Sequence, residues 1–265
     1  MLPDPTSRRL ARALRSLRPR LVHVTDVWPQ AVVAGRLARV PRVLVTHHTP
    51  DLPRQDNPAG RLWQRLGWAA RPEVIYTSEG DRRADGREPS HVVPLGIDVD
   101  CFAGATPALS GNRPIVGTVG RLAPQKGHET LLEAARLVPE AQFVVVGDGD
   151  LRARLEARAS ENVHFTGPRD DVPELLASFA VFAFPSFFEG LCLAVIEAQA
   201  VGVPVVATGV GGLVETVVPG ETGVRCEPGD ARSLADGINW LLDHPDQAAD
   251  LAAEAKRRAH ARFSV

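Results

Sequence analysis

Ile115-Val116-Gly117-Thr118-Val119-Gly120-Arg121-Leu122-Ala123-Pro124-Gln125-Lys126-Gly127 joins a short apolar run to a loop bounded by glycines. A helical pattern follows at once. An uncharged run of this length, rich in β-branched residues and closed by turn formers, predicts a strand buried on both faces. The unit recurs. Further strands are predicted at 142–146, 163–165, 181–184, 203–207 and 223–225, with helical segments between them and closing helices at 231–242 and 247–262. Six strands alternating with helices predict a complete doubly wound parallel sheet.

Upstream, Leu10, Leu14 and Leu17 form one helical stripe, and strand-like runs lie at 20–24, 42–46, 73–77 and 91–94. The stretch 57–60 and the surroundings of Asp85-Gly86 read as loops. Residues 103–112 are rich in small and turn-forming residues and read as an interdomain linker. The chain is therefore expected to be an α/β protein of two Rossmann-like domains, 1–106 and 107–265, the first with an incomplete sheet.

Composition narrows the function classes. The chain has 265 residues, 44% hydrophobic and 23% charged, with a net charge of −2, so no bulk electrostatic attraction to nucleic acid is expected. Its three cysteines are widely spaced and form no CxxC pair, which argues against a disulfide framework and a zinc site. No apolar signal core or membrane-length run occurs, and a cytoplasmic chain is expected. The arginine-bearing helix around 8–18 is expected to pack on the sheet, with peripheral contact to anionic lipid as the alternative. Of 30 basic residues only Lys126 and Lys256 are lysines, a hint that position 126 wants a compact point charge.

Four loops carry candidate chemistry, all at strand C-terminal ends, where open α/β sheets bind ligands. Gly120, Arg121, Lys126 and Gly127 follow the run at 115–119, and Gly147-Asp148-Gly149 follows 142–146. Glu189-Gly190-Leu191-Cys192 follows 181–184 and leads into a helix whose only charge is Glu197; Gly209-Val210-Gly211-Gly212 follows 203–207. Arg121 and Lys126 suit a pyrophosphate, and the helix N-terminus suits an anionic or oxygen-rich ligand. Eight helical residues rise about 12 Å, so the two glutamates are expected to reach opposite ends of an extended ligand. The competing reading makes Glu197 a salt-bridge partner and Glu189 a helix cap.

In their order and spacing, Gly120-Arg121-Leu122 with Lys126-Gly127, Val146-Gly147-Asp148-Gly149, Glu189-Gly190-Leu191 with Glu197-Ala198, and Gly202-Val203-Pro204 resemble glycosyltransferase family 4. That retaining family has the GT-B fold, and the resemblance covers nearly all of 112–265. Looser matches in the first half are Thr46-His47-His48-Thr49, Thr77-Ser78-Glu79 and Val93-Pro94-Leu95-Gly96. The resemblance implies that Arg121 and Lys126 hold the donor pyrophosphate and Glu197 the ribose. It further implies that Glu189 contacts the transferred sugar beside the backbone of Gly190, Leu191 and Cys192, with Gly120, Gly147 and Gly149 lining the donor site. His48, rather than its neighbour His47, is implied to meet the sugar from the first domain.

The expected activity is transfer of a sugar from a UDP- or GDP-linked donor to a lipid, glycan or small-molecule acceptor, with retention and with neither metal nor cofactor. Asp98-Val99-Asp100 is expected to be a turn and not a metal motif. By the resemblance, the first domain is expected to lack the family's opening strand and glycine-rich loop, which would stand before Met1. The chain is therefore expected to bind donor but act weakly unless a partner or upstream sequence completes that domain. A donor-binding module without activity and a UDP-sugar 2-epimerase remain as alternatives.

Overall fold

The computed structural model describes residues 5–25, 28–48 and 58–265. The chain forms two compact units, Met1–Pro94 and Leu95–Val265. The first contains α1 (Pro5–Leu17), β1 (Leu21–Thr25), α2 (Pro29–Leu37), β2 (Arg42–His47), α3 (Pro58–Ala69), β3 (Glu73–Tyr76), α4 (Glu79–Asp85) and β4 (Ser90–Val92). Its strands lie in sequence order, β1-β2-β3-β4, all parallel. Val24, Val43 and Val45 of the strands pack with Ala31 and Val32 of α2 to form its core. Arg42 and Glu73 tie the starts of β2 and β3 together with two hydrogen bonds of 3.1 and 2.7 Å. The loop expected at 57–60 gives way to α3, which begins at Pro58. Proline fixes a helix-compatible φ and gives up an N–H that the first turn leaves unbonded anyway.

The second unit contains β5 (Ile115–Val119), α5 (His128–Leu137), β6 (Gln142–Val146), α6 (Arg152–Glu156), β7 (Val163–Gly167) and α7 (Val172–Ala177). It continues through β8 (Val181–Phe184), α8 (Leu193–Val201), β9 (Val205–Thr208), α9 (Leu213–Thr216), β10 (Val224–Cys226), α10 (Ala231–Asp243) and α11 (Pro245–Phe263). The strand order is β10-β9-β8-β5-β6-β7, the doubly wound arrangement the alternation predicts. Every residue of β8 and β9 is buried. One face of the sheet buries Phe143, Val145 and Ala183 beneath α5 and α10, and the other buries Val144, Phe182 and Phe184 beneath α7 and α8. This two-sided burial is why these strands read as unbroken apolar runs.

The boundary between the units falls at Pro94/Leu95, earlier than the expected 106/107. The segment after Pro94 is bound to the second unit. Ile97 donates its N–H to Phe263 O at 2.7 Å, and Ile97 and Val99 are buried with Ile196, Ala200, Ala259 and Phe263. The stretch 103–112 is docked as well, through Ala108 N–H to Glu174 O at 3.1 Å and Leu109 N–H to Ser178 Oγ at 2.9 Å. Its small residues suggested a free linker, but Leu109, and Phe102 just before the segment, give it apolar surface to bury. Asp98 caps the short 3-10 turn Val99–Phe102 by accepting from Asp100 N–H, the turn expected there.

Asn162 closes the far end of α5. Its buried Nδ2 donates to Ala135 O, Val138 O and Ala141 O at 3.0, 3.3 and 3.1 Å, and Ser160 Oγ donates to its Oδ1. Leucine at this position matches the volume and removes the amide donor from Ala135 O and Ala141 O, while Val138 O keeps the Ala141 N–H at 3.3 Å. Asn162→Leu is therefore expected to lower the unfolding free energy by about 1–3 kcal/mol in urea titration, at unchanged secondary structure by circular dichroism.

Candidate functional site

The strand order reverses where β5 lies between β6 and β8, and that switch point places the loops after β5 and β8 side by side. The two loops are stitched together. Phe187 N–H donates to Gln125 O at 2.8 Å, and Gln125 Nε2 donates to Phe188 O at 2.9 Å. Lys126 Nζ sits 2.6 Å from Glu189 Oε1, with side chains 18% and 7% exposed, and lies over the Phe184 ring at 4.9 Å. Ser186 Oγ donates to the same Glu189 oxygen at 2.6 Å, and Thr208 Oγ1 of β9 donates to Ser186 O at 2.6 Å. Glu189 is thus held by a cation and a hydroxyl, as a buried carboxylate must be.

The other two loops join the same rim. Gly120 N–H donates to Val146 O and Leu122 N–H to Asp148 O, both at 2.9 Å, while Gly212 N–H donates to Gly190 O at 3.2 Å. Gly147 has φ +128, and a Cβ there would lie 2.1 Å from Gly120 O. Gly127 has φ +66, and a Cβ there would lie 2.0 Å from Pro185 O. Glycine at both positions lets the loops touch backbone to backbone. Gly149 is folded in too, its N–H held by Asp148 Oδ1 at 2.8 Å.

Glu189 does not cap α8, which starts at Leu193 behind Cys192 with no side-chain cap. It lies in the preceding loop, so the separation of the two glutamates is not the rise of one continuous helix, as the spacing suggested. No side-chain acceptor closes the first turn of α8, and the dipole there favours an anion. Cys192 is buried, and burial together with the Glu189 charge pushes its thiol up to about 12, so it stays protonated. Leu191 is partly buried and packs beside Ile196.

Glu197, one turn into α8, has no salt bridge or hydrogen bond among the described residues, and burial raises its carboxyl above the ordinary glutamate range. Arg121 is exposed and likewise has no polar partner among the described residues. The rim thus presents one unpaired cation and one unpaired, partly buried carboxylate. The same rim holds a buried ion pair, Lys126 and Glu189.

In the first unit His47 is buried edge-on between Trp68 and Tyr76, with ring centroids at 6.2 and 5.7 Å. His48 follows β2 and is partly exposed, so of the two it is the one that reaches the surface of its unit. Thr49 lies outside the described residues.

Sequence reasoning passed over Ser186, Thr208, Gln125 and His128. Ser186 lies three residues before Glu189 in the same loop, and that spacing was the available signal. His128 opens α5 behind Lys126; burial first, and the Lys126 charge second, push its imidazole down to about 4, so it is neutral at pH 7.

Two outcomes follow from this electrostatic layout. Lys126→Met leaves Glu189 without its counter-charge, and a loss of about 3 kcal/mol in unfolding free energy is expected by urea titration, largely recovered in Lys126→Met/Glu189→Gln. Glu197→Gln is expected to do the reverse in the ligand-free chain. Its folded pKa is raised, so the folded state holds the proton to higher pH than the unfolded chain, and stability falls as pH rises through that window. The glutamine variant should melt about 2–4 °C higher at pH 7, and the gain should vanish below about pH 4, as read by calorimetry.

The profile of the family described as Glycosyl transferases group 1 matches residues 105–258, and that of Glycosyltransferase Family 4 matches residues 2–101. A GDP-mannose-dependent monoacylated alpha-(1-6)-phosphatidylinositol monomannoside mannosyltransferase of Corynebacterium glutamicum is 31% identical over 303 residues, covering 100% of this chain and 78% of the relative. The alpha-maltose-1-phosphate synthase of Mycolicibacterium smegmatis is 31% identical over 319 residues, covering 99% and 82%. Among solved structures, the sucrose-phosphate synthase of Thermosynechococcus elongatus superposes with a TM-score of 0.82 at 26% identity, covering 98% of this chain and 73% of that one. Anabaena HepE in complex with UDP and glucose also gives 0.82, at 25% identity, covering 98% and 77%. The two parallel α/β sheets are those of the GT-B fold, and the chain belongs to the group 1, family 4 glycosyltransferases.

Proposed function

We propose that this glycosyltransferase moves a hexose from a UDP- or GDP-linked donor to an acceptor hydroxyl with retention of anomeric configuration, using neither metal nor cofactor. The observation that carries the reading is Glu197, a desolvated carboxylate without a protein partner on the helix that opens at the rim. An unpaired, partly buried charge costs stability, and a pair of ribose hydroxyls donating to it would offset that cost. Relatives named for GDP-mannose and a neighbour crystallised with UDP and glucose support a nucleotide-sugar in this place.

In this reading Arg121 and Lys126 face the donor pyrophosphate, where negative charge grows as the bond to the anomeric carbon breaks. Glu189 accepts hydroxyl hydrogen bonds from the sugar, oriented by Lys126 and Ser186. Gly147 and Gly149 let their loop close on Gly120 and Leu122 to form the wall that lines the nucleotide, and the first turn of α8, with the backbone of Gly190 to Cys192, receives phosphate oxygen. The acceptor oxygen bonds to the anomeric carbon on the face the nucleotide leaves, and its proton passes to the departing phosphate oxygen. The products are a glycoside and a nucleoside diphosphate. Glu189 and Glu197 are not a double-displacement pair. His48 is carried as a sugar contact from the first unit. The acceptor is a lipid, glycan or small molecule, and the exposed Arg8, Arg9, Arg12 and Arg15 of α1 are proposed to meet anionic lipid at the cytoplasmic membrane face.

Labelled UDP-glucose and GDP-mannose, with and without acceptor glycosides and lipids in chelator, test the reading. Anomeric retention in the product by NMR supports it, while Arg121→Ala and Glu197→Ala should each lower kcat/KM by about 10²-fold or more. His48→Ala should lower kcat more than nucleotide affinity. Nucleotide binding with no transfer would make the chain a binding module, and epimerised donor would make it an epimerase; either outcome overturns the proposal.

A further inference from the structure

A second concavity lies in the donor-side unit, away from the four loops. It measures about 610 Å³ and is lined by Gly220, Arg225, Trp240, Gln247 and Asp250 with apolar neighbours. Trp240 stands near the C-terminal end of α10, whose N-cap, Asp230, follows β10. Thirteen helical residues rise about 20 Å, so the cavity lies at the opposite end of the strands from the rim.

Its chemistry is that of a sugar-binding surface. The Trp240 indole is 38% exposed, and the His244 ring stacks on it at 5.0 Å and 19°. Such a braced aromatic face loses little side-chain freedom when a flat apolar surface is laid on it. Gln247 and Asp250 stand one turn apart on α11, both exposed, and neither has a hydrogen bond or ion pair among the described residues. They offer a donor and acceptors beside the indole, the mix of broad apolar wall and few polar groups that defines a ligand site.

Charge selects among ligands. The cation in the lining, Arg225, already spends its guanidinium on Val217 O at 2.8 Å and Val214 O at 2.7 Å. Asp250 would repel a phosphate and would be left desolvated by a lipid tail. A neutral polyhydroxylated ring satisfies both, placing its C–H face on the indole and its hydroxyls on Gln247 and Asp250. We infer that this cavity is a second saccharide site, which holds a neutral oligosaccharide remote from the donor rim. It is independent of the donor-site reading, since none of its residues belongs to the rim.

The test follows the Trp240 indole N–H resonance, assigned by its loss in Trp240→Phe, while maltotriose and mannotriose are added to the whole chain saturated with UDP. A saturable shift with at least one trisaccharide by about 20 mM is expected, weakened about fivefold or more in Gln247→Ala/Asp250→Ala, two exposed positions that should not disturb folding. Glucose 6-phosphate should leave the resonance in place, and Glu197→Ala should leave the trisaccharide shift intact. No shift with either trisaccharide, a shift indifferent to the double variant, a shift produced equally by the phosphorylated sugar, or one lost in Glu197→Ala would each overturn the inference.

Discussion

The Lys126–Glu189 ion pair is the interaction on which the rim of the second unit is organised. It bridges the loops after β5 and β8 at the point where the sheet reverses direction. With Ser186, Thr208 and Gln125 it converts two loops that would be separately mobile into one rigid rim. The buried pair contributes little net stability compared with an apolar alternative, because desolvation offsets most of its Coulomb attraction. Its value lies in geometry. A cation and a carboxylate are held at fixed positions, which in the proposed reading spares reorganisation when an anion and its sugar bind.

Around that fixed pair the rim carries charges left unmatched. Among the described residues Glu197 is desolvated without a partner, and Arg121 has none of its own. A chain selected for stability alone would pair or remove them. Unmatched charges in a unit whose central strands β8 and β9 are wholly buried make the rim the candidate ligand site.

Much of this was legible in the primary structure. The central strands β8 and β9 fall where apolar runs stand between turn formers, since a strand covered on both faces is apolar along its length. The glycines of the rim were legible too, because they follow strand ends. Less legible was the division of the chain. Ile97 and Val99 pack on Ile196 and Phe263, residues far away in sequence, so the compact units divide at Pro94/Leu95, a division that composition does not show. Ser186 and His128 were missed because a hydroxyl or imidazole acquires its role only from what folding sets beside it.

The sequence by itself determined the alternation of strands and helices, the parallel sheets and the four loops at strand ends, for these depend on local periodicity and turn chemistry. Only the tertiary structure decided how the charged residues divide. Lys126 and Glu189, 63 positions apart, are paired with each other, while Arg121 and Glu197 have no polar partner among the described residues. It also decided that His47 faces Trp68 and Tyr76 inside its unit while His48 is partly exposed. Partnership and burial are properties of distance in space, and the spacing of residues along a chain does not encode that distance until the strands are ordered in the sheet.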